Sequence, residues 1–190
     1  NSILLESSDY HGNDNSFSYI CCNPIASIKV DANQITKTYP DHTTEIKTVA
    51  SNEVTLEIDA FTKQFETQKD KAFKFINNGM FGFTAYDAVK YFEDITISKK
   101  EDSIQIPDMY YAVYQNIIAI NHFKNEAYIF AHCYETESNI EAIDHLIKMQ
   151  SFSSYDFKSK GEISSNLTDE AFKSNVDLAK KHCNRGDVFQ

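Results

Sequence analysis

The sequence has no tryptophan, three prolines, five glycines and fewer basic than acidic residues, and each shortage narrows what the chain can be. So little glycine and proline leaves no low-complexity or collagen-like tract, and the chain reads as globular. Against 28 Asp and Glu stand only 18 Lys and Arg, a net charge of -10. That balance argues against binding nucleic acid or an anionic membrane surface through bulk electrostatics. No run approaches the roughly 20 apolar residues that span a bilayer. The first residues form neither a basic n-region nor a signal-like apolar run, so the expected location is cytoplasmic. An initiating methionine is also missing, which suggests a chain trimmed at its front.

Of the four cysteines, Cys21 and Cys22 are adjacent and would face opposite sides of a strand, while Cys133 and Cys183 stand alone. Neither a metal spacing nor a disulfide framework results, and reduced, packed thiols are expected. His122 and His132 have no partner at ligand spacing and read as ordinary strand histidines. Asn166-Leu167-Thr168 fits the glycosylation pattern, but without a secretory context it is a chance match. No Ser/His/Asp pairing, Cys/His pairing or phosphate loop has motif context, and Gly79 and Gly82 alone do not make a phosphate cradle.

What is present is a 190-residue chain that is 42% hydrophobic and 13% aromatic. That length supports one domain burying about 70% of its unfolded surface. Apolar, β-branched and aromatic clusters predict strands at 17–22 and 25–30, joined by a turn at Asn23-Pro24, with further strands at 34–38 and 43–48. Val54, Leu56, Ile58, Phe61 and Phe65 predict a helix near 53–67 with Ser51 or Asn52 as its cap. The lysine-rich 67–74 reads as a solvated connection.

Met80 to Phe83 reads as a central strand whose glycines admit a close neighbour, followed by a short helix at 86–93 capped by Asp87. The clearest hairpin runs from Met109 to Cys133 around Lys124-Asn125. An amphipathic helix is expected over 137–150, a linker over 151–167, and a helix over 169–185 capped by Thr168 and closed by Gly186. After it, Asp187 to Gln190 begins another strand. The architecture expected is α+β, a mostly antiparallel β-sheet core with helices packed on the outside. Phe17, Tyr19, Phe81, Phe83, Tyr111, Val113, Ile118, Ile120, Ile143, Ile147 and Val176 are its core candidates.

One stretch stands out chemically. Ile3-Leu4-Leu5 runs straight into Glu6-Ser7-Ser8-Asp9, a buried strand that would offer a carboxylate and hydroxyls at its mouth. Such a mouth suits a small zwitterion; the plainer reading is a polar surface loop. Taken with Ser18-Tyr19-Ile20 leading into Asn23-Pro24, Gly79 to Val89, and Gly186 to Gln190, in that order, the sequence resembles the N-terminal part of the anthranilate synthase component I family. It departs from the family in carrying Ser16 and Phe17 where many members have a cation, and Cys21-Cys22-Asn23-Pro24 where members often have Gly-Leu-Asp-Pro.

The resemblance implies an enzyme, a lyase of tryptophan biosynthesis, that makes anthranilate and pyruvate from chorismate and ammonia with Mg²⁺. The ammonia comes from glutamine through a partner amidotransferase subunit. It implies a first domain over 1–150, the linker, and the start of a truncated chorismate-binding domain at 168–190. The family's catalytic base and metal-binding glutamates would lie downstream, so no catalytic residue, metal ligand or cofactor is expected within this chain. Part of a feedback site for L-tryptophan carries over to Leu5, Glu6 and Ser7, with Glu6 accepting from the ligand ammonium. Two other readings stay open: aminodeoxychorismate synthase component I of the folate pathway, whose members often lack that carboxylate, and a purely structural and interaction domain.

Overall fold

Two long strands, β2 (Phe17–Asp31) and β6 (Met109–Asn121), lie antiparallel and side by side, and the other strands are built on them. The structure, a computed structural model, describes residues 2–6, 16–66, 72–97, 106–149 and 153–189. The free side of β2 is occupied along its first half by β1 (Ser2–Leu5) and along its second by β3 (Gln34–Thr38), with β4 (Thr44–Thr48) beyond. On the far side of β6, β5 (Met80–Thr84) and β7 (Glu126–Ala131) sit end to end. All pairings in this seven-stranded sheet are antiparallel, as the expected fold class requires.

The expected turn at Asn23-Pro24 is not there. β2 runs through it, with Asn23 at φ 58° and a register shift between Pro24 and Ala26. It is a β-bulge, and Pro24 lies between the stretch paired with β1 and the stretch paired with β3. There the missing proline N–H breaks no ladder on that side. Turn chemistry is local, whereas β6 is long enough to pair with both halves of β2 and hold them in one strand.

β5 proves to be an edge strand rather than a central one. Its Gly82 is nonetheless required, because a Cβ there would lie 1.9 Å from the Tyr110 carbonyl oxygen. The hairpin of β6 and β7 forms as expected, with Asn125 at φ 54° in its turn. β6 is apolar on both faces because it is paired on both sides and covered above and below.

Helix α1 (Val54–Thr62) is shorter than the pattern predicts and follows a 3-10 turn at Ser51–Glu53. Neither Ser51 nor Asn52 caps it; Ser51 Oγ instead bonds the Asn33 side chain at 3.2 Å. Val54 and Phe61 are fully buried while Leu56 is 66% exposed, since 54, 58, 61 and 65 share one helical stripe and 56 lies off it. Glu57 ties the helix to the sheet through Lys37 at 2.6 Å on β3 and Lys47 on β4. Those two lysines hold its carboxyl below the usual range.

Residues Tyr86–Tyr91 form a 3-10 helix, shorter than the expected 86–93, and Asp87 does not cap it. The cap position is Ala85, whose N–H is bound to Asp108 O at 2.8 Å.

Two apolar clusters make the core. One gathers Ala26, Ile28, Val30, Ile35, Val54, Phe61, Tyr91 and Met109. The other gathers Cys21, Phe81, Ala112, Tyr114 and Ile117. Of the predicted core residues, Phe81 and Ile118 are buried, and Phe17, Tyr19, Tyr111, Val113, Ile120 and Ile143 are half-buried. Phe83, Ile147 and Val176 are exposed: Phe83 is on the edge strand, and Ile147 is on α2 (Ile140–Lys148), a helix that buries no residue. Among the cysteines only Cys21 is buried, its thiol pushed up to about 12 by burial, and Cys133 and Cys183 are exposed rather than packed.

Contacts divide the chain into units at 1–150 and 151–190. In the second, residues 153–167 form neither helix nor strand, and α3 (Asp169–Arg185) follows with both predicted ends. Thr168 Oγ1 accepts from Ala171 N at 3.3 Å and Gly186 closes the helix at φ 79°. α3 buries none of its residues, which is why Val176 is exposed. Asp187 to Phe189 form no strand, and Gln190 lies outside the described residues.

Candidate functional site

The end of β1 is where the sequence places its candidate site. Alternation along the strand turns Ile3 and Leu5 inward and leaves Ser2 and Leu4 exposed. Leu5 is registered against Tyr19 on β2 and packs on the cluster of Cys21, Phe81 and Ile117. Glu6 follows directly at the strand's mouth and is exposed. Leu5 and Glu6 are therefore neighbours at one sheet edge, while Ser7 lies outside the described residues.

Beside that mouth the structure assembles an aromatic layer the sequence reading missed. Phe75 stacks on Phe17 at 4.8 Å between ring centroids and meets Tyr128 at a tilt at 5.0 Å. Phe73 meets Phe130 edge-on at 5.0 Å, and Tyr19 reaches Phe81 at 5.9 Å. Residues 67–71 of the supposed solvated connection lie outside the described residues, but Phe73 and Phe75 are half-buried against the sheet. The alternation Phe73-Lys74-Phe75 carried that signal, two apolar side chains on one face with the lysine turned away. Burial pushes the Tyr19 hydroxyl up, against the pull of a backbone hydrogen bond from Ile76.

Polar groups brace the ends of the spine. Ser18 Oγ and His122 Nε2 lie 2.7 Å apart, and His122 N donates to Ser16 O at 3.0 Å. Asn116, fully buried on β6, accepts from Asn23 Nδ2 at 2.9 Å and donates to Asn139 Oδ1 at 2.6 Å. This amide chain fixes the bulge of β2 and the start of α2 to one strand. A lone Asn amid Ile and Val was its signal in sequence.

Asp108 is a second hub. It accepts from Tyr91 Oη at 2.6 Å, Lys90 Nζ at 2.9 Å and Ala32 N at 3.1 Å. Burial opposes its charge, yet those donors prevail and hold the carboxyl below the usual range. The same burial and the neighbouring carboxylate push the Tyr91 hydroxyl up. This site is structural: its donors join the β2–β3 turn, the 3-10 helix and the start of β6.

Two hollows remain. One of about 440 Å³ lies between α1 and the sheet, lined by Ile58, Met80, Phe92 and Tyr111 among others. The other, about 790 Å³, is bordered by Tyr39, Phe65, Tyr114, His132 and Tyr134. His132 is a strand-end histidine whose Nε2 donates to Asn77 O at 2.8 Å. Among the described residues no three His, Cys, Asp or Glu side chains converge as a metal ion needs. Nor is any of the described helices long and apolar enough to cross a membrane.

Comparison with known proteins places this geometry. The pattern of chorismate binding enzymes matches residues 2–190. Anthranilate synthase component 1 of Lactococcus lactis subsp. lactis is 28% identical over all of this chain and 42% of that protein. The protein of the same name in Saccharomyces cerevisiae is 24% identical over all of this chain and 38% of its own length. Aminodeoxychorismate synthase component 1 of Bacillus subtilis is 25% identical over 67% of this chain and 29% of that protein. The chain thus spans about two fifths of the length of the anthranilate synthases it matches. The fold resembles the crystal structure of anthranilate synthase component I from Streptococcus pneumoniae, with TM-score 0.53, 19% identity, and coverage of 93% of this chain and 40% of that one.

Proposed function

This chain belongs to the family of chorismate binding enzymes, and from that premise we propose that it is the N-terminal, regulatory and structural part of an anthranilate synthase component I. The observation that supports this reading is that the anthranilate synthases of two distant organisms align along the entire chain. The complete enzyme would convert chorismate and ammonia to anthranilate and pyruvate for tryptophan biosynthesis. A glutamine amidotransferase subunit would supply the ammonia. Among the described residues no three His, Cys, Asp or Glu side chains converge on a site for Mg²⁺.

Leu5, Glu6 and Ser7 form this chain's share of a tryptophan feedback site. Leu5 presents its side chain beside Tyr19 and the aromatic layer, an environment suited to an indole ring. Glu6 at the strand's mouth accepts the ligand ammonium in a charge-assisted bond, about twice as strong as a neutral one. Ser7 orients it. The test is calorimetric titration of L-tryptophan into this chain and into the complete enzyme. Binding by the complete enzyme that is lost on Glu6→Ala supports the site, and silence from both removes it.

The similarity to aminodeoxychorismate synthase component 1 favours one alternative product. Chromatography of the complete enzyme's reaction with chorismate and ammonium salt separates the two. Anthranilate with pyruvate supports the first reading, and aminodeoxychorismate without pyruvate supports the second.

A further inference from the structure

One margin of the sheet ends on a strand with no neighbour. Beyond β4 the sheet has no further strand among the described residues, and all of Thr44-Glu45-Ile46-Lys47-Thr48 is exposed. Ile46, the large apolar side chain among them, is 63% exposed. A strand edge in that state presents unpaired N–H and C=O groups, a template for another strand.

The bonds to β3 fix which groups of β4 are left over. Just outside the two ends of that ladder, Tyr39 N donates to Thr43 O at 3.0 Å and Val49 N to Asn33 O at 3.1 Å. Along an antiparallel pair, bonded and non-bonded positions alternate. With Ile35 opposite Lys47 and Lys37 opposite Glu45, the N–H and C=O groups of Glu45 and Lys47 therefore turn toward β3. Those of Thr44, Ile46 and Thr48 point out of the sheet. The side chains alternate too. Lys47 reaches Glu57 on α1, and Glu45 accepts from Tyr39 Oη at 2.8 Å, whose ring lies 6.0 Å from Phe61 of α1. Thr44, Ile46 and Thr48 are on the opposite face.

This strand is its own complement. An antiparallel copy sets outward groups against outward groups only when a residue lies on the two-fold axis. Centred on Glu45 or on Lys47, the pairing puts like charges face to face. Centred on Ile46, it puts Glu45 opposite Lys47, Ile46 opposite Ile46 and Thr44 opposite Thr48, in both directions. The same register gives every outward N–H and C=O of the strand a partner. Lysine on an edge strand ordinarily discourages such pairing, but here each lysine meets a glutamate.

We infer that β4 pairs with β4 of a second copy of this chain, antiparallel about Ile46, so that the two sheets join into one. The strand is about 17 Å long, and a contact of that length belongs to the weak, transient class below about 1,200 Å². Association is therefore reversible and follows concentration. It uses none of the residues proposed for the tryptophan site.

Sedimentation velocity and amide exchange of the 190-residue chain, from about 10 µM to about 1 mM, test this. The mass is expected to rise toward that of two chains. The amides of Thr44, Ile46 and Thr48 should gain protection with concentration, while those of Glu45 and Lys47, turned to β3, are protected throughout. Glu45→Lys and Lys47→Glu should each weaken association about tenfold, because each sets like charges opposite one another twice in the register. An equimolar mixture of these two variants should restore it to within about threefold, since every lysine again meets a glutamate. Ile46→Pro, which removes the central outward N–H but no bond to β3, should abolish it. A chain that stays monomeric at about 1 mM, association that leaves those three amides unprotected, or a mixture no tighter than its single variants would each overturn the inference. Unfolding curves for all variants establish that the fold is retained.

Discussion

The sheet of residues 1–150 and the helix of residues 151–190 are opposites in how their sequence encodes them. α3 is spelled out locally: Thr168 caps it, Asp169 and Glu170 open it, His182 and Arg185 close it, and Gly186 ends it. Yet it buries nothing of its own. The β2–β6 spine has a misleading local signal at Asn23-Pro24 and is held by burial instead, with Ile28, Ile117 and Ala112 at 1% exposure or less. Clear ends do not imply a stabilising face, and an ambiguous strand does not imply a weak one.

The largest expected effect is where β5 lies against β6. Gly82→Ala should unfold the first unit or reduce its stability by about 3 kcal/mol or more, because the added carbon meets the Tyr110 carbonyl at 1.9 Å. Urea unfolding measures it. Phe61→Ala and Ile117→Ala should cost about 3–5 and 2–5 kcal/mol respectively, since both side chains are wholly enclosed. Phe172→Ala on α3, 60% exposed, should stay within about 0.5 kcal/mol in the same assay. Equal losses at Ile117 and Phe172 would end the contrast.

Asn116→Ala tests the polar brace. It leaves Asn23 and Asn139 without their shared partner, and a loss of about 2–3 kcal/mol is expected. A loss below 0.5 kcal/mol, by the criterion for ordinary surface sites, would mean that water replaces the amide.

Acid sharpens the contrast further. Glu57 and Asp108 both have carboxyls depressed in the folded state, so in acid the unfolded chain takes up more protons than the folded one. Their contribution is complete above the unfolded carboxylate range, near pH 5, and is lost as pH falls through about 4 and below. Unfolding of the first unit should show that acid slope, and Asp108→Asn should flatten it. An unchanged slope would remove Asp108 from the account.

The smallest effect belongs to α3. Thr168→Ala should lower the stability of that helix by about 1 kcal/mol, read as a fall in helical circular dichroism and faster exchange of the Ala171 amide. No change would mean the cap is idle.

Much of the candidate site at β1 was legible and part of it was not. Ile3-Leu4-Leu5 announced a strand by composition, and the strand puts Leu5 inward beside Tyr19. The aromatic layer around it was hidden because Phe73 and Phe75 sit amid lysines, whose charge outweighed their alternation in the reading. The larger hollow was invisible for a different reason: Tyr39, Phe65 and Tyr134 come from separate segments that meet only in the folded sheet.

The sequence by itself determined the antiparallel class of the fold, the β6–β7 hairpin, the need for glycine at 82, and both ends of α3. Each of those rests on side-chain alternation, backbone sterics or caps, which act over a few residues. Only the tertiary structure decided that β2 runs unbroken through its proline, that β5 is an edge, that α1 stops at Thr62, and that α2 and α3 bury no residues. Those outcomes depend on which partner strand or surface is within reach, and a pairing between residues 90 positions apart leaves no mark in the local pattern of either.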